Sequence, residues 1–220
     1  ACWSQCQRRS RRSRPTFEGD EVRIAVGALA EDPFGADAGV AVVKVDFPAS
    51  ADVWLDWWAP TEASKAHKGG SSSTQLVPLS SFPVWVKRGA LLPLGAKPTE
   101  VPALGASAPV EFTWFSPRRG ESATAIFREP VGSGVGGRCT AEYAQDTGEI
   151  SMSFSAHAGV GAMTLVGVSG EDIQWTVSAG DMTPTCSVSR DAADARILRA
   201  VCTDMSLGAV FVVTGVEDTM

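Results

Sequence analysis

Histidine is nearly absent from this sequence: His67 and His157 are its only copies, and both fall in segments that read as loops. A histidine-built metal site or a nucleophile–histidine pair has little to draw on, and solvated loop histidine is the simple reading of each. No stretch is long and apolar enough to span a bilayer, and no apolar h-region marks a secretory leader. The chain therefore reads as soluble, with no legible address. No Gly-Lys-Ser/Thr follows the glycines of Gly132–Gly137 and no helix pattern begins there, which excludes a phosphate-binding loop. Ser71-Ser72-Ser73 reads as a flexible tip, since neither a base nor a strained elbow accompanies it. Helix patterns are scarce as well. Only Arg190–Val201 has a suitable composition, and with Cys202 it suits a strand equally.

Charge is unevenly spread. The 220 residues carry a formal charge of −6. Arg8, Arg9, Arg11, Arg12 and Arg14 stand in the first fifteen residues with no acid among them, so the remainder sits at −11. An acidic body does not suit nucleic acid or an anionic membrane, and neither is expected as a partner. The arginine cluster reads either as a basic arm or targeting signal or, more simply, as an unstructured end over residues 1–17. Five cysteines are present. Cys2 and Cys6 have a CxxxC spacing, but the second pair that a zinc site needs is missing, so no metal is expected. Cys186 and Cys202 suit neighbouring strands that an oxidising compartment would bridge; a buried free thiol is the simpler state for each.

What is present in quantity is a period of two. Ile150, Met152 and Phe154 alternate with serines, and Ile173, Trp175 and Val177 alternate with Gln174, Thr176 and Ser178. Both patterns predict half-buried antiparallel strands. Weaker versions recur at Val22–Val26, Val40–Phe47, Val53–Trp58, Val84–Leu92, Val110–Phe115, Thr124–Arg128, Cys139–Tyr143, Met163–Val168, Thr185–Ser189 and Ala209–Thr214. Asp146-Thr147-Gly148 is a hairpin-length gap between two of them. The fold class is all-β, in two antiparallel β-sandwich-like units. Gly95–Pro109, rich in proline and small residues, cannot sustain a sheet. It sets the expected boundaries: a proximal domain over 18–95, a linker over 96–109 and a distal domain over 110–220.

The least generic stretch is Asp52–Leu94. In a strand, Trp54, Asp56 and Trp58 share one face while Val53, Leu55 and Trp57 share the other, which suits a strand covered on both sides. Asp56 can accept hydrogen bonds from indole N–H groups or loop amides and so fix ring orientation. Gly69 and Gly70 permit a reversal that a Cβ would obstruct. Gly89 marks a bulge or bend before the apolar run Ala90–Leu94.

Trp54-x-Asp56-x-Trp58, then Gly69-Gly70, then Pro78-Leu79, then Phe82-Pro83-Val84-Trp85-Val86-Lys87-Arg88-Gly89-Ala90-Leu91-Leu92-Pro93 resembles glycoside hydrolase family 31, the α-glucosidase and α-xylosidase family. About forty residues carry the resemblance, with Trp54, Asp56, Trp58, Gly69, Gly70, Pro83, Gly89 and Pro93 as its structural motif. It implies the first of two C-terminal β-sandwich domains that follow a catalytic (β/α)8 barrel. Gly19-Asp20-Glu21-Val22 is a looser echo of the segment at the barrel's end. Where many members have an Asp-Asp-Gly turn this chain has Ser116-Pro117-Arg118-Arg119-Gly120, so an acidic site on that turn does not transfer.

The family's two catalytic carboxylates do not. Retaining hydrolysis needs such a pair about 5–5.5 Å apart, and a barrel needs about 250 residues with alternating helices. Neither motif is here. Asp46, Asp52, Asp56, Glu111 and Glu142 have spacings no different from surface acids, so no catalytic residue and no cofactor are assigned. The resemblance implies a non-catalytic C-terminal region of a family 31-like enzyme, inactive alone. Its partner would be the missing barrel that hydrolyses O-glycosyl bonds, and the arginine-rich start would be sequence from an incomplete upstream boundary. The alternative is a carbohydrate-binding module in which Trp54, Trp57 and Trp58 stack on an α-glucan or oligosaccharide.

Overall fold

A computed structural model describes residues 22–24, 40–78, 83–95, 110–128, 136–155, 160–178, 185–203 and 209–218. The basic segment 1–17, the linker 96–109, His157, the Cys2/Cys6 pair and residues 79–82 of the family motif lie outside the described residues. The chain divides into two compact units, Ala1–Arg88 and Gly89–Met220. Among the described residues the regular structure is strand, apart from one 3-10 turn at Ala63–Lys65.

The first unit contains β1 (Val22–Ile24), β2 (Val40–Asp46), β3 (Val53–Asp56), β4 (His67–Lys68), β5 (Ser72–Pro78) and β6 (Val84–Lys87). They form a four-stranded sheet, β1-β6-β3-β4, and the ribbon β2-β5, with every pairing antiparallel. The ribbon contributes Val43, Val45 and Val77 to a buried cluster; the sheet contributes Trp54 and Trp85, and Phe47 completes it. The opposite face of β3 and β6 is buried too, since Leu55 and Val86 are cross-strand partners and neither reaches solvent. This matches the two-sided strand read from the sequence. Ser72 and Ser73, expected in a flexible tip, instead open β5 and pair with Asp46 and Val45. The Ser72 hydroxyl donates to Asp46 Oδ1 at 2.5 Å, which draws the serines into the ladder.

The second unit contains β7 (Leu91–Gly95), β8 (Val110–Phe115), β9 (Ser122–Arg128), β10 (Gly136–Tyr143), β11 (Ile150–Ser155), β12 (Val160–Val166), β13 (Val168–Ser169), β14 (Gln174–Ser178), β15 (Thr185–Arg190), β16 (Ile197–Thr203), β17 (Val210–Thr214) and β18 (Glu217–Asp218). Two five-stranded sheets, β14-β17-β11-β10-β9 and β15-β16-β12-β8-β7, carry most of it, and β13-β18 is a short ribbon. The period of two gives each sheet one apolar face. Phe112, Trp114, Met163, Leu165, Leu198 and Ala200 from one sheet share a core with Ala141, Tyr143, Ile150, Met152, Phe154 and Phe211 from the other. The Phe112 and Phe154 rings meet at 5.2 Å. This is a β-sandwich.

The division between units falls between Arg88 and Gly89, ahead of the expected linker. The cause is pairing: β7, assigned from the sequence to the proximal domain, runs antiparallel to β8, with Leu91 opposite Trp114 and Pro93 opposite Phe112. Among the described residues β7 is the edge of its sheet, where a proline's missing donor is tolerated. The sheets are not uniformly antiparallel either, because β8 and β12 run parallel, with a register shift between Val160 and Ala162.

The ambiguous segment Arg190–Val201 forms no helix. Asp191 Oδ1 accepts from the amides of Ala193 (2.8 Å) and Asp194 (3.2 Å), and Asp194 Oδ1 accepts from that of Arg196 (3.0 Å). Short carboxylate side chains thus capture the amides that a helix would use, and a loop results. From Ile197 onward the chain pairs with both β12 and β15. That pairing sets Cys186 directly opposite Cys202, and the two form a disulfide. The simpler expectation of free thiols is corrected. Cys139 is free and buried.

Candidate functional site

β3 begins at Val53 because aromatic and β-branched residues suit a pleated, buried strand. It ends at Asp56, two residues before the predicted end, and the reason is the Asp56 carboxylate. Its Oδ1 accepts from the Trp58 amide at 2.8 Å, an Asx-type turn. The Ala59 amide donates to the Asp56 carbonyl at 3.2 Å and the Glu62 amide to the Ala59 carbonyl at 3.0 Å. Asp56 therefore holds a loop amide, one of the two kinds of donor expected of it. The expected common face of Trp54, Asp56 and Trp58 stops at Asp56, since Trp58 stands beyond the strand end. Trp54 is 1% exposed, Trp57 is half-buried and Trp58 is 67% exposed. Of the three candidate sugar-stacking residues, the buried Trp54 ring offers no face to a ligand.

Behind Trp54 lies an aromatic cluster that the sequence did not announce. Phe47 stacks on His67 at 4.8 Å and meets Trp85 edge-on at 5.5 Å, and its centroid is 6.0 Å from that of Trp54. His67 also meets Trp85 edge-on at 6.2 Å. The reading of His67 as a solvated loop residue is corrected: it lies on β4 opposite Trp54, in an aromatic environment. Burial pushes its pKa down from the usual histidine value, partly countered by the negative charge of Asp56. Its Nε2 is 3.3 Å from Gln75 Nε2. The signal that could have found the cluster was the alternation Val43, Val45, Phe47, which places Phe47 on the inner face.

The two glycines do what the reversal needs. Gly69 donates to the Asp52 carbonyl at 2.8 Å, and Gly70, at φ 78°, donates to the Pro48 carbonyl at 2.7 Å. A Cβ on Gly69 would stand 2.6 Å from the Ser50 carbonyl oxygen. Pro83 is buried immediately before β6. In the second unit, Gly89 adopts φ 81°. Its amide donates to the Phe115 carbonyl at 2.6 Å, and its carbonyl accepts from Trp114 Nε1 at 2.9 Å. A Cβ there would overlap the Glu121 carboxylate. That carboxylate accepts from the Arg118 amide at 2.9 Å, so it caps the Ser116–Gly120 turn.

The carboxylates singled out earlier have local roles. Asp52 pairs with Lys87 at 3.2 Å, and Asp46 accepts from Ser72. Glu111 binds Arg199 at 2.9 Å and accepts from the Thr164 hydroxyl at 2.5 Å. Glu142 is exposed, beside Ser122 and Ser151 on neighbouring strands. Among the described residues, no three His, Cys, Asp or Glu side chains gather as a metal site. The chemistry on view is capping, ion pairing and aromatic packing.

No family profile matches the chain, and no curated protein matches it in sequence. Solved structures do. A glycoside hydrolase family 31 dextranase from Flavobacterium johnsoniae, determined with glucose, is similar at a TM-score of 0.60 and 16% identity, over 89% of this chain and 26% of that one. The cycloalternan-forming enzyme from Listeria monocytogenes, determined with a pentasaccharide substrate, gives a TM-score of 0.63 at 17% identity, over 92% of this chain and 19% of its own. The chain shares its fold with a region of glycoside hydrolase family 31 enzymes. The family 31-like fold extends through both units, well beyond the forty residues that carried the sequence resemblance. The chain spans about a quarter or less of the length of these two neighbours.

Proposed function

We propose that this chain is a non-catalytic β-sandwich region of a family 31-like glycoside hydrolase, packed beside the (β/α)8 barrel that hydrolyses O-glycosyl bonds. Coverage supports it best: 89–92% of the chain aligns with only 19–26% of the length of these enzymes. The motif residues fit the same reading. Trp54 and Trp85 are core, Asp56 fastens a turn, and Gly69, Gly70 and Gly89 allow close backbone approach. On this reading the region supports the barrel mechanically, and an α-glucan or other oligosaccharide meets the parent enzyme at the barrel.

One observation favours the alternative of a carbohydrate-binding module: Trp58 is 67% exposed on a hydrogen-bonded turn. A single ring makes a weak platform. Sequencing the transcript upstream of Ala1 tests the proposal. An in-frame barrel with the paired catalytic carboxylates is expected, and an unrelated upstream reading frame would overturn it. Titration with malto-oligosaccharides separates the alternative, which requires tryptophan quenching that Trp58→Ala abolishes.

A further inference from the structure

Among the described residues β15 pairs with β16 alone and forms the edge of its sheet. Cys186, Val188 and Arg190 lie opposite Cys202, Ala200 and Leu198, the core-facing residues of β16. Yet Val188 is 45% exposed, and of the three only Cys186 packs against the core. The apolar hold on β15 is therefore small. Two other fastenings replace it, one near each end. Near the start, Cys186 is bonded to Cys202 across Cα atoms 4.1 Å apart. At the end, Arg190 Nη1 donates to the Ala195 carbonyl at 3.1 Å and Nη2 to the Gly170 carbonyl at 2.6 Å.

We propose that the Cys186–Cys202 disulfide is a redox clip: a dithiol reductant opens it and peels β15 from its Thr185 end, while Arg190 keeps the other end seated. A thiolate of the reductant attacks Cys186 Sγ, on the more exposed residue of the pair. The Sγ–Sγ bond breaks, and its electron pair leaves on Cys202 as a thiolate, which takes up a proton. The second thiol of the reductant then displaces Cys186, the reductant leaves as a disulfide, and the protein has gained two electrons and two protons. Cys139 does not interfere, because burial holds it as a protonated thiol. Opening bares the outer N–H and C=O groups of β16, the kind of edge that recruits another strand. The closed clip belongs to an oxidising compartment.

Hydrogen exchange read by mass spectrometry tests this on the full chain, in the oxidised state, after dithiothreitol and after reoxidation, with differential alkylation to identify each thiol. The expected result is a linked Cys186–Cys202 peptide before reduction. After reduction, protection at 186–188 and at the outer amides of β16 should fall by about two orders of magnitude, given the loop that the bond closes, with 160–166 unchanged and full recovery on reoxidation. Arg190→Ala should leave the oxidised pattern intact and extend the loss along all of β15 once reduced. The double variant Cys186→Ser with Cys202→Ser should reproduce the reduced pattern; should it not fold, the reduced wild-type chain carries the test. Free thiols at both positions in air-oxidised protein, unchanged protection on reduction, or a uniform loss across Gly89–Met220 would each overturn the proposal.

Discussion

Replacing Gly89 by alanine should destabilise the second unit by about 2–3.5 kcal/mol, from two sources that can be separated. The backbone at φ 81° is held in place, since the Gly89 amide donates to Phe115, its carbonyl accepts from Trp114 and neither bond survives a large rotation. An alanine forced into this left-handed region costs about 1–2 kcal/mol. Its Cβ must also displace the Glu121 carboxylate. The side chain can move, but only by releasing the Arg118 amide, a charge-assisted turn bond at 2.9 Å whose exposed loss costs about 1–1.5 kcal/mol. Glu121→Ala alone should therefore cost about 1 kcal/mol. The Gly89→Ala, Glu121→Ala double variant should cost no more than Gly89→Ala itself, because the Arg118 bond is lost only once. Urea unfolding followed by fluorescence gives the four corners of the cycle. Strict additivity, or a Gly89→Ala variant within 0.5 kcal/mol of wild type, would show that Glu121 does not occupy the space against Gly89.

Asp56→Ala should destabilise the first unit by about 1 kcal/mol through loss of the Trp58 amide bond, and Asp56→Asn, which keeps an acceptor, by a few tenths; thermal melts distinguish them. Trp85→Ala should cost about 3–5 kcal/mol because the ring is fully buried, whereas Trp58→Ala, at an exposed position, should stay within about 0.5 kcal/mol. Burial lowers the pKa of His67 in the folded state, so its contribution is present above the unfolded value of about 6.5 and is lost as pH falls from there through the folded pKa. Urea midpoints should drop between pH 7.5 and 5.5, and His67→Phe, which keeps the stack on Phe47, should flatten that drop. Cys139 should resist alkylation in the native state and react only on unfolding, since burial pushes its thiol pKa well above the usual range; mass spectrometry after iodoacetamide reads this directly.

Local physics was the legible part of the sequence. Alternation at Ile150–Ser155 and Gln174–Ser178 matches β11 and β14. Asp146-Thr147-Gly148 does join two paired strands, with Gly148 at φ 65°. Gly89 marks a bend. Pairing was not legible, because a period of two states which face is apolar and not which strand lies alongside. Leu91–Gly95 thus went to the wrong unit, and the parallel contact of β8 with β12 went unread. The Cys186–Cys202 bond depends on the same long-range register. Asp56 was recognised as an organiser of the tryptophan segment, but its bond to the Trp58 amide depends on where β3 stops. His67 was misread because Lys65, Lys68, Gly69 and Gly70 around it read as a loop, while its burial comes from Phe47 and Trp85, twenty and eighteen residues away.

On the proposed reading, the tryptophan–aspartate and glycine motif holds strands and turns in place and performs no glycoside hydrolysis. Turnover of an aryl α-glucoside by the purified 220-residue chain tests this most directly. No release above the uncatalysed blank is predicted, and Asp56→Ala should change the melting temperature alone. Measurable turnover that a single aspartate substitution abolishes in a still-folded chain would contradict it.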